Sequence, residues 1–334
     1  MAHKNATSYD VAKRAGVSQA TVSRAFDPNG NVSAATRAHI MEVAKTLGYQ
    51  PNQIARSLSM QRTDIVGIIM GNMTRSYYYP SVLVEFTSRL QEMGKQVLLF
   101  NASETGSVDE IMPRILSYQV DALIIASTTP GREIIDEFAG TGTPVVMLNR
   151  TLPDTQANAV VSDNVWGGRS VADYLYGGGH TRFGFMTGVE VTTTNAMRRK
   201  GFIERLAERG VHDVLIEHGS YSYRSGHDAA LRMLDREDRP DALFCAADVM
   251  ALGAMDAARF ELGINIPDEL SVVGYDDIPM AGWPTYDLTT VRQSAQAMSE
   301  AAIDLITPQK ERPKGKVVLL PGELIERGSA RRNA

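Results

Sequence analysis

The chain has 334 residues, 43% of them hydrophobic and 22% charged, with a net charge of −5 and a single cysteine. This is ordinary globular composition, and the length calls for two or three structural units. No apolar run reaches the roughly 18 residues of a membrane span, and the polar start MAHKNATSYD has no apolar signal core, so neither a membrane protein nor a secreted one is expected.

One thiol makes no internal disulfide, which fits a reducing, cytoplasmic setting, and Cys245 in ALFCA reads as a small buried hydrophobe. The charge is uneven. Residues 1–62 hold eight basic and three acidic side chains, a net +5, which leaves −10 for the rest. A basic head on an acidic body points to a polyanionic partner for the head.

Ser8 is placed to cap a first helix, YDVAKRA, with Val11 and Ala15 on its inner face. Gly16 supplies a tight turn, Ser18 caps a second helix, QATVSRAF, and Ser33 caps a third, AATRAHIMEVAKTL. In the third, Ile40, Val43, Ala44 and Leu47 repeat at helical spacing and Gly48 ends it. Two helices joined by so short a turn form a helix-turn-helix, which lays the start of the second helix in the DNA major groove. Val17, Val22 and Phe26 then face the core, while Gln19, Ala20, Ser23 and Arg24 face outward. Gln19 suits adenine, Arg24 guanine and Ala20 a thymine methyl. Thr7, Tyr9, Ser18, Thr21 and Ser23 suit phosphate oxygens, which fix register without reading sequence.

Residues 49–58, YQPNQIARSL, follow. Pro51 blocks continuation of the third helix, and IARSLS is too short to be helical without docking. The run DVAKRAGVSQATVSRAF, then VSAATR, then GYQPNQIARSL resembles the head and hinge of the LacI/GalR family of bacterial transcriptional repressors. The resemblance implies a hinge helix over Asn52 to Ser59, formed when two subunits meet on an operator. Asn52 and Ala55 are then expected at the minor groove, with Leu58 as the apolar wedge that kinks the operator centre.

From Asp64 the pattern changes to apolar β-rich runs alternating with helical stretches: IVGIIM, QVLLFN, ALIIAS, PVVMLN, RFGFMTG, VLIEHG, ALFCAAD and SVVGYDD. Such alternation predicts parallel sheets covered by helices. Two half-domains of this kind resemble the periplasmic-binding-protein-like core of the same family. The fold expected is thus a small all-α head on a two-lobed α/β core. Its boundaries are a head at 1–49, a hinge at 50–62 and a core at 63–334. The N-lobe takes 63–162 and 291–320, and the C-lobe takes 163–290 and 321–334.

Ligands of open α/β sheets bind beyond the carboxyl ends of the strands. Polar residues stand there: Asn101, Ser127, Asn149 and Arg150 in the first lobe, Asp248 and Asp276 in the second. The resemblance adds Asp163 at the crossover, Arg198 in an R-x-x-G-F pattern, and Tyr221 as an aromatic wall. It also adds Tyr78 and Tyr79, where SYYYP stands for the family's N-P-F-F. Carboxylates and amides suit paired hydroxyls, an aromatic ring covers a pyranose face, and arginine binds carboxylate or phosphate. A sugar or sugar acid is therefore the expected effector, with a nucleobase as the alternative.

The sequence lacks GxxxxGK[ST], HExxH, GxSxG and any metal-spaced Cys/His cluster, so no enzyme, cofactor or metal is expected. A solute-binding protein of a transporter shares the body fold but carries no DNA-binding head. The expectation is a homodimeric, effector-controlled repressor on a pseudo-palindromic operator, cytoplasmic and nucleoid-associated when bound.

Overall fold

The computed structural model describes residues 6–27, 30–50, 63–71, 77–102, 108–126, 131–190, 192–308 and 314–331. The chain divides into two units, Met1–Thr63 and Asp64–Ala334.

The first unit holds helices α1 (Ser8–Ala15), α2 (Gln19–Phe26) and α3 (Ala34–Leu47). Val11, Ala12, Val22, Ala25, Ile40 and Ala44 form its buried core, with Ala15, Val17, Phe26, Val43 and Leu47 packed against them. The first cap falls one residue before the position expected. Thr7, not Ser8, caps α1, in a reciprocal capping box with Asp10. Asp10 is the better partner for Thr7 because it sits three residues on, at the position whose backbone N–H the cap satisfies. Ser18 and Ser33 cap α2 and α3, and Gly16 and Gly48 end α1 and α3 in the left-handed conformation. Arg37 closes the turn after α2, donating to the carbonyls of Asp27 and Gly30, both at 2.8 Å.

The second unit carries two six-stranded sheets of one design. The first uses β1 (Ile65–Gly71), β2 (Gln96–Ala102), β3 (Ala122–Ala126), β4 (Val145–Leu148), β5 (Asn158–Ser162) and β11 (Val317–Leu320), in the order β2-β1-β3-β4-β5-β11. The second uses β6 (Phe183–Thr187), β7 (Val214–His218), β8 (Ala242–Cys245), β9 (Ser271–Asp276), β10 (Thr289–Arg292) and β12 (Glu323–Ile325), in the order β7-β6-β8-β9-β10-β12. The strands pair in parallel, except β10 with β12. Central strands such as β3 and β8 are buried along their whole length, as sheets covered on both faces require.

The first sheet is covered by α4 (Tyr78–Glu92), α5 (Val108–Ser117), α6 (Arg132–Gly140) and α11 (Ala295–Ile306). The second is covered by α7 (Asn164–Gly177), α8 (Thr193–Glu208), α9 (Tyr223–Leu234) and α10 (Asp248–Asp256). The chain passes between lobes after β5, after β10 and between β11 and β12. The second passage falls after Arg292, because Val291 and Arg292 still pair with Tyr275 and Asp276 in the second sheet. The run VMALGAMDAARFELG is not one regular helix: α10 ends at Asp256 and a π-helical turn covers Ala257–Glu261.

Helices α7 and α8 meet through two glycines. A Cβ on Gly168 would stand 2.2 Å from the Arg198 carbonyl oxygen, and one on Gly201 would stand 2.2 Å from that of Val165. The R-x-x-G-F pattern is thereby given a physical reason: Gly201 lets α8 approach close enough for Arg198, one turn back, to reach the boundary between the lobes.

Candidate functional site

In the head, Gln19, Ala20, Ser23 and Arg24 are all exposed on α2, and Tyr9 is 67% exposed on α1. Gln19 Nε2 donates to Ser8 Oγ at 2.8 Å and Arg24 Nε to the Ala20 carbonyl at 3.3 Å, so both outward side chains are steadied before any partner arrives. Ser18 and Thr21 share a 2.8 Å hydroxyl bond at the start of α2, the positive end of the helix, which favours an anion. Asn52, Ala55 and Leu58 lie outside the described residues.

In the core, side chains from both lobes converge beyond the carboxyl ends of the strands. Tyr78 and Tyr79 open α4 and are buried, their rings edge to face at 5.4 Å, while Tyr77 is half exposed. From the C-lobe, Arg198 is 3% exposed. It lies 3.6 Å over the Tyr275 ring, donates to Asn164 Oδ1 at 2.8 Å and to the Ala246 carbonyl at 2.5 Å, and stands 3.6 Å from Asp276 Oδ1. Tyr221 packs its ring against Gly188, where a Cβ would stand 2.1 Å from Cζ. Asn149, Tyr221 and Asp276 all have positive φ (52°, 57° and 121°). Such backbone strain costs about 1–3 kcal/mol per residue and gathers at ligand sites.

A polar relay joins the lobes. Ser162 N–H donates to Asn149 Oδ1 at 3.1 Å, and Asn149 Nδ2 donates to Gln293 Oε1 at 2.9 Å. Gln293 Nε2 then donates to Asp276 Oδ1 at 2.6 Å. Arg150 crosses the same boundary, donating to Thr194 Oγ1 at 3.0 Å.

The electrostatics follow from burial. Asp276 is raised to about 6 by loss of water, against the opposing pull of Arg198 and the bond from Gln293. Asp248 is raised to about 7 by burial and by Asp276, although Thr290 Oγ1 donates to it at 2.5 Å and Ile278 N–H at 2.9 Å. Those bonds show Asp248 turned into the lobe. It is also not the cap of α10: Ala247 holds that position, and Asp248 is the first helical residue. Burial raises the Tyr78 and Tyr79 phenols as well.

The expected residues therefore separate. Tyr78, Tyr79, Asn149, Arg150, Arg198, Tyr221 and Asp276 come together. Asp163 caps α7 by accepting from Trp166 N–H at 2.9 Å, and its neighbour Asn164 touches Arg198 instead. Asn101 is exposed on the edge strand β2 and bonds to no other described member of the cluster. Ser127 lies outside the described residues. Sequence reasoning passed over Gln293, Asn164, Thr194 and Tyr275. Thr194 lies in the first turn of α8, which starts at Thr193, ahead of the R-x-x-G-F pattern that pointed to Arg198.

Among the described residues no group of three His, Cys, Asp or Glu side chains is arranged to hold a metal ion, and no helix is long and apolar enough to cross a membrane.

Two family models match the chain: bacterial regulatory proteins, lacI family, over residues 7–52, and a periplasmic binding protein-like domain over residues 172–330. Catabolite control protein A of Priestia megaterium is 31% identical over 334 residues, spanning 98% of this chain and 100% of that protein. The ribose operon repressor of Escherichia coli K12 is 31% identical over 335 residues, spanning 97% and 100%. The HTH-type transcriptional repressor PurR of Mannheimia succiniciproducens is 28% identical over 338 residues, spanning 98% and 100%. Among solved structures, the lac repressor dimer bound to operator and the anti-inducer ONPF superposes with a TM-score of 0.87 at 27% identity, covering 98% of this chain and 99% of that one.

Proposed function

The chain belongs to the LacI family of bacterial regulatory proteins, and from that premise we propose that it is a repressor whose effector is a sugar or sugar acid held between the two lobes. It is a DNA-binding transcriptional regulator with an effector-binding core, in a family of regulators and not of enzymes. In this reading a homodimer grips a pseudo-palindromic operator. Gln19, Ala20 and Arg24 read bases, and Thr7, Tyr9, Ser18, Thr21 and Ser23 hold phosphates. Asn52, Ala55 and Leu58 enter the minor groove.

The observation that carries the effector reading is the mixture of groups at the cleft. Arg198 and Asp276 offer paired polar contacts, Asn149 and Gln293 offer amides, and Tyr78, Tyr79 and Tyr221 offer ring faces. Hydroxyl-rich rings need that combination of directional polar groups and flat apolar walls. The ribose operon repressor and the repressor PurR are both among the relatives. The chemistry of the cleft favours the sugar class, because described donors and acceptors of both signs surround Tyr78 and Tyr79.

The effector acts by binding one relative position of the lobes better than another, and its leverage on DNA equals that difference in affinity. The relay Asn149–Gln293–Asp276 changes whenever the lobes shift.

A thermal-shift screen of purified protein against sugars, sugar acids, polyols and nucleobases tests the effector class. A ligand at 100 times its Kd stabilises the native state by about 2.7 kcal/mol. Stabilisation by a sugar or sugar acid supports the reading. Stabilisation by nucleobases alone refutes it and leaves the DNA-binding role standing.

A further inference from the structure

We propose that the effector carries an acid group, a carboxylate or a phosphate, and that Arg150 is the residue that binds it. The inference rests on the sugar-type reading of the cleft and narrows it.

Among the described residues, the acids at the cleft are held by partners inside the protein, and one cation, Arg150, pairs with none of them. Arg198 and Asp276 face each other at 3.6 Å. Arg198 Nε donates to Asn164 and its Nη1 to the Ala246 carbonyl, and its flat face lies on Tyr275. Asp276 also accepts from Gln293. Asp248 is enclosed by Thr290 and Ile278, and Asp163 caps a helix. Each acid near the cluster thus has its partners inside the protein.

Arg150 does not. It is partly buried, and its Nη1 donates to the Asn149 carbonyl at 2.8 Å and to Thr194 Oγ1 at 3.0 Å. Both acceptors are neutral, and no carboxylate pairs with it among the described residues. Those two bonds fix where the guanidinium points, at the junction of the lobes. Its neighbour Asn149 bonds Gln293, which bonds Asp276, so Arg150 stands beside the polar relay of the cleft. Asn149, in the left-handed conformation, bends the chain end of β4 so that the next residue reaches across.

A partly buried guanidinium without a counter-charge favours an anionic partner, and its fork geometry matches a carboxylate or phosphate oxygen pair. A second orphan group lies in the same cluster: the Tyr78 hydroxyl is buried and has no partner among the described residues. It offers one more donor to an anionic oxygen or to a sugar hydroxyl. A neutral sugar would leave the Arg150 charge uncompensated; an acidic one completes the site.

The test uses matched pairs on the full-length protein: D-galactose with D-galacturonate, D-glucose with D-glucuronate and with glucose 6-phosphate, and D-ribose with ribose 5-phosphate. Thermal shift ranks them at constant ionic strength and titration calorimetry gives Kd. The acid of at least one pair is expected to bind tenfold or more tightly than its neutral partner, and the uronate and phosphate arms tell the two acid types apart. Arg150→Met keeps the apolar stem and removes the charge. It is expected to abolish that preference, and Arg150→Lys to restore part of it. Unchanged melting of the unliganded variants excludes a folding effect.

A neutral sugar that binds as well as its acid overturns the proposal while the sugar reading survives. So does full acid preference in Arg150→Met. No stabilisation by any acid of the panel also overturns it, and if nucleobases alone stabilise the protein, the sugar reading falls with it.

Discussion

Arg24 and Asp248 show two ways in which a single side chain sets behaviour. Arg24 is exposed and steadied by the Ala20 carbonyl one turn back, on the face proposed to meet base edges. Arg24→Ala is expected to cost about 1–3 kcal/mol of specific binding and to relax base choice at one operator position. Selection from randomised duplexes by the wild type and the variant checks it; an unchanged binding motif would mean that Arg24 reads nothing. Asp248 is fully buried, and burial first, then Asp276, raises it from 3.8 to about 7. Between those values the folded core holds a proton that the unfolded chain has released. Its contribution is therefore full below the unfolded pKa and is lost as pH rises through the folded one. Asp248→Asn should flatten the decline of core stability over that window relative to the wild type, measured by urea titrations at stepped pH. His180, lowered first by burial, acts in the opposite sense: stability is lost as pH falls through its ordinary 6.5. The two effects separate because the substitution touches only one of them.

At the scale of elements, the C-lobe depends on how closely its helices approach. Gly168 on α7 and Gly201 on α8 each face a backbone carbonyl of the other helix at a distance no Cβ tolerates. Gly201→Ala must push the pair apart, at a cost of about 1–3 kcal/mol. A fall in Tm of about 2–4 °C per kcal/mol is the expected reading for a domain of this size. Effector affinity should fall with it, because Arg198 lies one turn from the contact and would be displaced. A Gly201→Ala protein that melts and binds like the wild type would remove the link between helix contact and cleft. The head's elements are by contrast locally specified. Thr7, Ser18 and Ser33 cap, Gly16 and Gly48 terminate, and the apolar side chains at helical spacing do the rest.

For the whole molecule, function requires that effector and operator bias the same equilibrium. The hinge proposed over Asn52 to Ser59 is the segment through which they would do so, on the strength of its sequence. Leu58→Ala is expected to weaken operator binding far more than binding to unrelated DNA, because a wedge is useful only where the duplex kinks. Titrations on both DNAs at one salt concentration decide it, and equal losses on the two would rule out a wedge. Dimerisation enters here too, since two heads on a pseudo-palindrome fix two hinges at one spacing.

By itself the sequence determined whatever is written in local pattern. Caps and glycines set the head helices, alternating apolar runs set the parallel strands, and strand ends told where polar residues would gather: Asn149, Arg150 and Asp276. The family resemblance set Tyr78 and Tyr79 at the cleft, and the structure buries both and leaves Tyr77 half exposed. Tertiary structure alone decided what depends on partners distant in the chain. Gln293 sits between elements with no periodic signal, yet it bonds a residue 144 positions away and another 17 away. Asp248 was expected as a ligand contact at a strand end, but the fold brings Thr290 and Ile278 to it. Asp163 stands in the expected place, but its carboxylate is taken by the backbone of α7, so the neighbouring amide of Asn164 meets Arg198. Local propensity acts over a few residues and is legible along the chain. The pairing of buried polar groups is settled only when two sheets, crossed by the chain more than once, place their strand ends face to face.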